Sequence, residues 1–342
     1  MNLDVLQPIT AAHAWGGCDV FEQDPAVEAC EDAFYVPYLE NAGWGLFDNQ
    51  DRILMGGVDL VLPEGWWTRQ SPVSPVSSRE IAEVAPDETY VYGGRLKSQY
   101  GHFIVDVLSR QWPRIRQAAP KSRILVHHPD PQAFFTQHRF AQEMLGALGL
   151  STEDFVAFDR PTRIARLILP WTSFRHQTHA HQVFAELGRS VGKAVLGRHR
   201  LKPTDRAAYL SKSKLTGGIR RFVNEPLLEA ALAAGGVEIV YPELMSLADK
   251  IALFCERPVL LGMASSAFHH SLFAPALSAR LLLLNPKQSI NSNFVLIDRL
   301  TGADSRYLHL VGSRRLEDGG AFHRAFELDD PARIAKALLA EI

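Results

Sequence analysis

Residues 246–275, SLADKIALFCERPVLLGMASSAFHHSLFAP, carry a helix, a strand and a loop in quick succession. The apolar residues of SLADKIALFCE recur at helical spacing. Ser246 stands where an N-cap belongs, with Asp249 at the third helical position. PVLLG is continuously apolar, which suits a strand covered on both faces. GMASSAFHHSLF then sets small residues, two serines and two adjacent histidines at the carboxyl end of that strand. A helix starting near Ser265 or Ser266 presents unpaired N–H groups and partial positive charge to an anion such as a diphosphate. GMASS is not the GxSxG elbow of a serine hydrolase. His269 and His270, as helix neighbours, diverge by about 100° and do not readily share a metal. Two readings stay open: a loop for a ligand's phosphate or sugar, and a structural turn with Ser266 as N-cap and Phe268, Leu272 and Phe273 in the core.

The same alternation runs through the second half of the chain. AAYLSK, VEIVYP and ARLLLLN read as strands; NEPLLEAALAAGG and DPARIAKALLAEI read as helices. Apolar strands alternating with amphipathic helices predict a Rossmann-like parallel sheet. The first half is less regular. AFYVPYL, GWGLFD, RILMGGVDLVLP and TYVYGG read as short strands of a β-rich extension. Then follow a helix (GHFIVDVLSRQWPRIRQ), a strand (SRILVHHP), one long helix (QAFFTQHRFAQEMLGALGL) and two strands (DFVAFD, ARLILP). A polar helical stretch from His181 to His199 reads as a connector. The expected division is therefore 1–195, an acceptor-side α/β domain with a β-rich extension, and 196–342, a nucleotide-sugar domain whose last helix packs back on the first. Two such domains facing each other form a cleft, and ligands of open α/β sheets sit beyond the carboxyl ends of the strands.

Composition narrows the classes. Of 342 residues, 46% are apolar and 22% charged, a globular profile with room for two domains. With 36 basic and 38 acidic residues the formal net charge is −2, so no bulk basic field recruits nucleic acid. Three cysteines without CxxC spacing suggest neither a disulfide framework nor a cysteine zinc site, and fit a reducing compartment. The start lacks the pattern of a signal peptide, and the apolar runs fall short of the roughly 20 residues that cross a bilayer.

Two further groups bear chemistry. In YGHFIVDVLSRQWPRIR, His102, Asp106 and Arg110 are four residues apart, on one face of a helix. Asp106 there orients His102 as a general base; the bland reading is a buried polar stripe. In YLSKSKLTGGIRRFVNE, Lys212, Lys214, Arg220 and Arg221 follow a strand end at Ser211 within a loop, where cations neutralise a departing diphosphate. Asn224 and Glu225 are also plain helix-start residues. His127, His128, His176, His179 and His181 fit no zinc spacing and read as surface or structural. Trp15, Trp44, Trp66 and Trp67 suit either sugar stacking or the core.

Together, YGHFIVDVLSRQWP, YLSKSKLTGGIRRFVNE and SLADKIALFCERPVLLGMASSAFHHSLFAP resemble glycosyltransferase family 61, the bacterial capsular-polysaccharide type, over roughly residues 90–300. The resemblance implies a GT-B-like architecture. It implies inverting, metal-independent transfer from a nucleotide diphosphate sugar, expected to be a UDP-sugar, to a saccharide or glycoconjugate acceptor, without a separate cofactor. By motif position, His102, Asp106 and Glu225 are the catalytic candidates. Arg110, Ser211, Lys212, Arg221, Asn224, Gly262, Ser265, Ser266 and His269 are the donor-binding ones, and no metal ligand is implied. Lys212 stands where the family has Arg, Ser265 where Gly is common and His270 where Asn is common. Lys lacks the bidentate grip of Arg on phosphate. A role in surface-polysaccharide synthesis would place the protein in the cytoplasm, peripheral at the inner face of the membrane. The rival reading is a non-catalytic nucleotide-sugar or carbohydrate-binding protein of the same fold; a metal-dependent hydrolase using the histidines is a third.

Overall fold

The apolar runs of the second half assemble into one twisted sheet. A computed structural model describes residues 5–39, 43–58, 82–116, 122–197, 199–316 and 322–342. The sheet order is Leu6–Ile9, Ser305–Leu310, Arg280–Asn285, Val259–Met263, Ala208–Leu210, Glu238–Val240. The last five strands run parallel and Leu6–Ile9 joins antiparallel. Taken in chain order, the parallel strands lie 2-1-3-4-5, a doubly wound arrangement whose order reverses between Ala208–Leu210 and Val259–Met263.

Successive side chains of a strand face opposite ways, so each apolar run feeds two cores. Tyr209, Leu261, Leu282 and Leu284 pack with Leu228 and Leu232 of the helix Glu225–Ala234 and with Ile334 and Leu338 of Pro331–Leu339. Leu210, Leu260, Leu281 and Leu283 pack with Leu253 and Phe254 of Leu247–Glu256, and with Phe268. Ser246 caps Leu247–Glu256 as its position suggested, accepting from the Asp249 N–H at 3.1 Å.

A second sheet is mixed: Gly45–Phe47, Val27–Val36, Thr162–Pro170, Thr89–Arg95, Arg123–His127 and Phe155–Val156, with Glu83–Val84 beside Thr162–Pro170. From Thr162–Pro170 to Phe155–Val156 the strands are parallel; Val27–Val36 is antiparallel to both its neighbours. One core on this sheet gathers Ala33, Tyr35, Tyr90, Tyr92, Leu125 and Ile164. The protein is thus mixed α/β with several mostly parallel sheets.

The chain divides into two compact units, Gly17–Val195 (the first) and Met1–Gly16 with Leu196–Ile342 (the second). The start of the chain therefore does not belong with the residues that follow it. Leu6–Ile9 finds its ladder on Ser305–Leu310, and Ala14–Trp15 pairs with Ile290–Asn291. The last helix packs within its own unit, on Glu225–Ala234, since its apolar stripe of Ile334, Ala335 and Leu338 is buried there.

Other expectations shift in detail. Val183–Leu196 is no polar connector: Val183, Phe184, Leu187 and Val191 are fully buried along one side. The long helix breaks at His138, leaving Pro131–Gln137 and Arg139–Gly146. In RILMGGVDLVLP, Met55–Gly57 is a 3₁₀ turn rather than strand. Residues 59–81, with Trp66, Trp67 and SPVSPVSSRE, lie outside the described residues.

Burial sets an acid limit on this fold. His127 is sealed beneath Tyr35, bonded to the Tyr92 hydroxyl at 2.8 Å, and burial pushes its imidazole down from 6.5 to about 3. Burial pushes His270, in the second unit, down to about 4. Both are neutral when folded, and as pH falls the unfolded chain takes up these protons first. Their contribution is complete above about pH 6.5 and is lost as pH falls toward 4 and 3, by up to about 1.4 kcal/mol per pH unit for each histidine. Urea unfolding between pH 8 and 5 is expected to show stability declining below about pH 6.5; a midpoint flat to pH 5 would contradict the burial argument.

Candidate active site

The segment carrying His102 changes helical pitch twice. Tyr100–His102 is one α turn, Phe103–Val107 a π turn and Leu108–Arg114 a 3₁₀ helix. Pro113 lacks an N–H to give to Ser109 and its ring crowds the preceding turn, which suits a departure from α geometry. Single π turns are frequent at functional sites. Across the π turn His102 and Asp106 stay together, Nδ1 to Oδ2 3.1 Å. Across the 3₁₀ helix, at three residues per turn, four residues rotate a side chain about 120° further on. Arg110 accordingly leaves the expected shared face. Its Nη1 donates to the carbonyls of Gly56 (2.6 Å) and Pro170 (2.9 Å), and its guanidinium stands 5.3 Å from the Tyr92 ring centroid. Gly94, at φ +88°, makes way for it: a Cβ there would lie 3.1 Å from the Arg110 side chain. Arg110 is thus a buried clamp on the first unit.

The place beside Asp106 goes to residues that spacing did not single out. Ser173 donates through N (3.1 Å) and Oγ (2.6 Å) to the Ser109 carbonyl, tying the segment after Thr162–Pro170 to the pitch change. That tie brings His176 Nε2 to 2.8 Å from Asp106 Oδ1, with its ring centroid 4.9 Å from that of His102. Lys97 Nζ donates to Asp106 Oδ2 at 2.7 Å. Burial pushes the Asp106 carboxyl up, but His176, Lys97 and the imidazole hydrogen bonds together hold it well below its ordinary value. His102, its side chain 35% exposed, is the member of this cluster open to solvent.

One ligand atom from each of His102, Asp106 and His176 falls within 4.8 Å of the others, a spacing that suits a divalent cation. The Lys97 ammonium on the same carboxylate opposes a cation there. His176 is not at the surface: it is buried against Asp106, 70 positions away in sequence. His179 and His181 pack around Phe21 instead.

In the second unit the candidates divide. Ser211 Oγ donates to Glu229 Oε1 (2.6 Å), and the Tyr209 hydroxyl and Lys212 N–H both donate to Glu225 Oε1 (2.8 and 3.2 Å). Glu225 is fully buried, which pushes its carboxyl above the ordinary value. It braces the turn after Ala208–Leu210 from beneath, and its carboxylate is not exposed. Asn224 accepts from Leu328 N (2.9 Å) and donates to Leu328 O (2.8 Å), which anchors the start of Glu225–Ala234. Lys212 Nζ donates to the Arg220 carbonyl at 2.6 Å, and burial pulls its ammonium down.

Arg220 and Arg221 belong not to a loop but to the strand Gly218–Phe222, parallel to Phe322–Glu327. Alternation sends them to opposite faces. Arg220 lines a cavity of about 340 Å³ with Arg324, Lys287, Asn285, Asn291 and Trp15; Arg221 does not. Arg220 and Arg324 are register partners, a like-charge pairing that disfavours the sheet on its own. Arg220 Nη1 donates to Asn285 Oδ1 at 2.9 Å. The cavity lies where Val259–Met263 and Arg280–Asn285 end, at Ala264 and Asn285, beside the start of the helix Ser292–Thr301.

The opening loop meets the cavity only through Ala264. Ser265 sits at the N-cap position of the 3₁₀ turn Ser266–Phe273, one residue earlier than the Ser266 of the structural reading, and makes no side-chain cap bond. His269 is buried with its ring 5.2 Å from that of Phe294, while His270 Nδ1 meets the Ala267 carbonyl at 2.8 Å. Gly262 is a packing requirement, since a Cβ there would stand 2.7 Å from Leu210 O of the paired strand.

The model of glycosyltransferase family 61 matches residues 100–281, more than half of the chain. The chain belongs to that family and is an enzyme that transfers a sugar, so its substrates are a sugar donor and an acceptor. The matched residues include His102, Asp106 and His176, Arg220 and the loop after Val259–Met263; Lys97 lies just before them. No curated protein matches the chain.

Gly262→Ala is expected to destabilise the protein by about 1–3 kcal/mol, because the atom in the way is backbone. Gly217→Ala, with nothing within 4 Å of its Cβ, is the control and should stay within about 0.5 kcal/mol. Urea midpoints of the two variants give the comparison.

Proposed function

We propose that this enzyme transfers a sugar, with inversion and without a metal ion, from a nucleoside diphosphate sugar to a saccharide or glycoconjugate hydroxyl. The observation that carries this reading is the cavity of Arg220, Arg324 and Lys287 at the strand ends of the second unit. Three cations around one small volume repel each other and favour an anion that bridges them. A diphosphate suits them in charge, and the start of Ser292–Thr301 adds the partial positive charge of a helix. Trp15, 46% exposed, offers a stacking face for the base or the sugar. A UDP-sugar is the expected donor.

In the transfer, the acceptor oxygen attacks the anomeric carbon from the face opposite the phosphate. The C–O bond to the diphosphate breaks, the new glycosidic bond forms, and the acceptor's proton passes to His102 Nε2. Asp106 holds the other ring nitrogen and so orients the base. Arg220, Arg324 and Lys287 neutralise the departing nucleoside diphosphate, the charge that a metal takes in other enzymes. Lys212, Arg221, Ser265 and Ser266 flank this site in sequence and are proposed to shape it rather than to hold the phosphates. The GT-B plan belongs to the same proposal. It is supported by the family and by two units that each carry a largely parallel sheet. A role in surface-polysaccharide synthesis, in the cytoplasm and peripheral to the membrane, follows from the family resemblance. Among the described residues no helix is long and apolar enough to cross a membrane.

Thermal unfolding with UDP, GDP and CMP, each with EDTA, tests the donor site. UDP at about 100 times its Kd should add about 2.7 kcal/mol of apparent stability. Arg220→Ala and Lys287→Ala should each weaken binding at least about tenfold, a loss of about 1.4 kcal/mol. His102→Ala should keep the UDP shift and lose about 10²–10⁴-fold in product formation. Binding that needs a divalent ion, or transfer by His102→Ala at the parental rate, would refute the corresponding part. Binding without transfer to any acceptor would favour the non-catalytic reading.

A further inference from the structure

An aspartate and a histidine suffice to orient a general base, yet Asp106 carries two more partners. Its Oδ2 takes Lys97 Nζ at 2.7 Å, closer than His102 Nδ1 at 3.1 Å, and its Oδ1 lies 2.8 Å from His176 Nε2. The Lys97 side chain is only 9% exposed. An ammonium so nearly buried needs an anion at hand, and a carboxylate so nearly buried needs a cation. The two therefore cancel as charges while remaining directional as hydrogen-bonding groups.

That cancellation bears on the base. An ionised carboxylate only accepts hydrogen bonds, so it selects the form of His102 with a proton on Nδ1 and leaves Nε2 as the lone-pair nitrogen. With His176 but without the Lys97 ammonium, the carboxylate would more readily hold a second proton on the ring, and a doubly protonated imidazole cannot accept the acceptor's proton. We propose that Lys97 is a positioning residue for His102: it neutralises Asp106, so that the carboxylate fixes the ring and its tautomer without filling Nε2. The groups that act on His102 are Asp106 across the π turn, Lys97 from the segment after Thr89–Arg95, and His176 from the segment after Thr162–Pro170. The proposal rests on the reading of His102 as the base.

The test compares the parent enzyme with Lys97→Met and Lys97→Arg over pH 5–9. In Lys97→Met the acid limb of kcat/KM is expected to move up by about one pH unit, so that the rate below the limb falls about tenfold, with donor KM changed less than twofold. Lys97→Arg restores the charge and should return the limb toward its parental position. A lysine that merely supports the fold would lower kcat/KM equally at every pH and leave the limb in place, which would overturn the proposal. If Lys97→Met does not fold, Lys97→Gln keeps a polar side chain of similar reach without the charge.

The ¹⁵N resonances of His102 give a readout that needs no turnover. The doubly protonated fraction at pH 7 should rise several-fold in Lys97→Met and fall back in Lys97→Arg. If that holds while His102→Ala still transfers sugar, the charge relation stands and the assignment of the base fails; if the fraction does not change, Lys97 has no such role. Calorimetry of the parent protein with Zn²⁺ or Mn²⁺ alone supplies the last arm. Stoichiometric binding abolished by His176→Gln would mean that the cluster is a metal centre, and the proposal would fall.

Discussion

A carboxylate buried among apolar side chains must be matched by positive charge and hydrogen-bond donors from the elements around it, and Asp106 imposes that demand on the first unit. Around Asp106 converge the segment after Thr89–Arg95, through Lys97, and the segment after Thr162–Pro170, through His176. Both segments leave the carboxyl ends of neighbouring parallel strands. Parallel pairing thus delivers two remote pieces of chain to the same end of the sheet, and the pitch change of 103–114 sets Asp106 between them. The clamp of Arg110 on Gly56 and Pro170 serves the same purpose from the other side of the turn.

The second unit handles charge in the opposite way. There two carboxylates beside the strand ends are sealed: Glu225 and Glu229 are buried under hydroxyls and an N–H behind the turn at Ser211. The cations are gathered around a cavity, with Arg220 and Arg324 side by side on paired strands. Carboxylates withdrawn into the framework and guanidiniums left at a cavity create a positive potential that does not depend on the net charge of the chain, which is close to zero.

What could be read from the sequence was what neighbours in sequence decide. PVLLG and ARLLLLN are apolar at every position because both faces are covered, so their strands and their parallel setting were visible in advance. The cap at Ser246 and the pairing of His102 with Asp106 are contacts over three and four residues, and they appeared as expected. GIRRF shows no apolar alternation, because Gly218–Phe222 is held by residues more than 100 positions away, so its arginines looked like loop cations. His176 looked like one of a crowd of histidines for the same reason. Periodicity also does not separate an α turn from the π and 3₁₀ turns next to it, and that difference took Arg110 off the face of His102 and Asp106.

The pairing of Leu6–Ile9 with Ser305–Leu310 sets an order on how this protein is made. Leu6–Ile9 precedes the whole of Gly17–Val195 in the chain, and the strand whose edge it covers, Ser305–Leu310, emerges after it. Until then, an entire unit, Gly17–Val195, has left the ribosome between the two. The growing chain must therefore carry Leu6–Ile9 unpaired while Gly17–Val195 emerges, and this edge of the second unit closes only once Ser305–Leu310 is out. The entropy of bringing such distant ends together grows only with the logarithm of the loop, so the finished ladder loses little by it. The exposure falls on the nascent chain, during the interval when that edge has no partner.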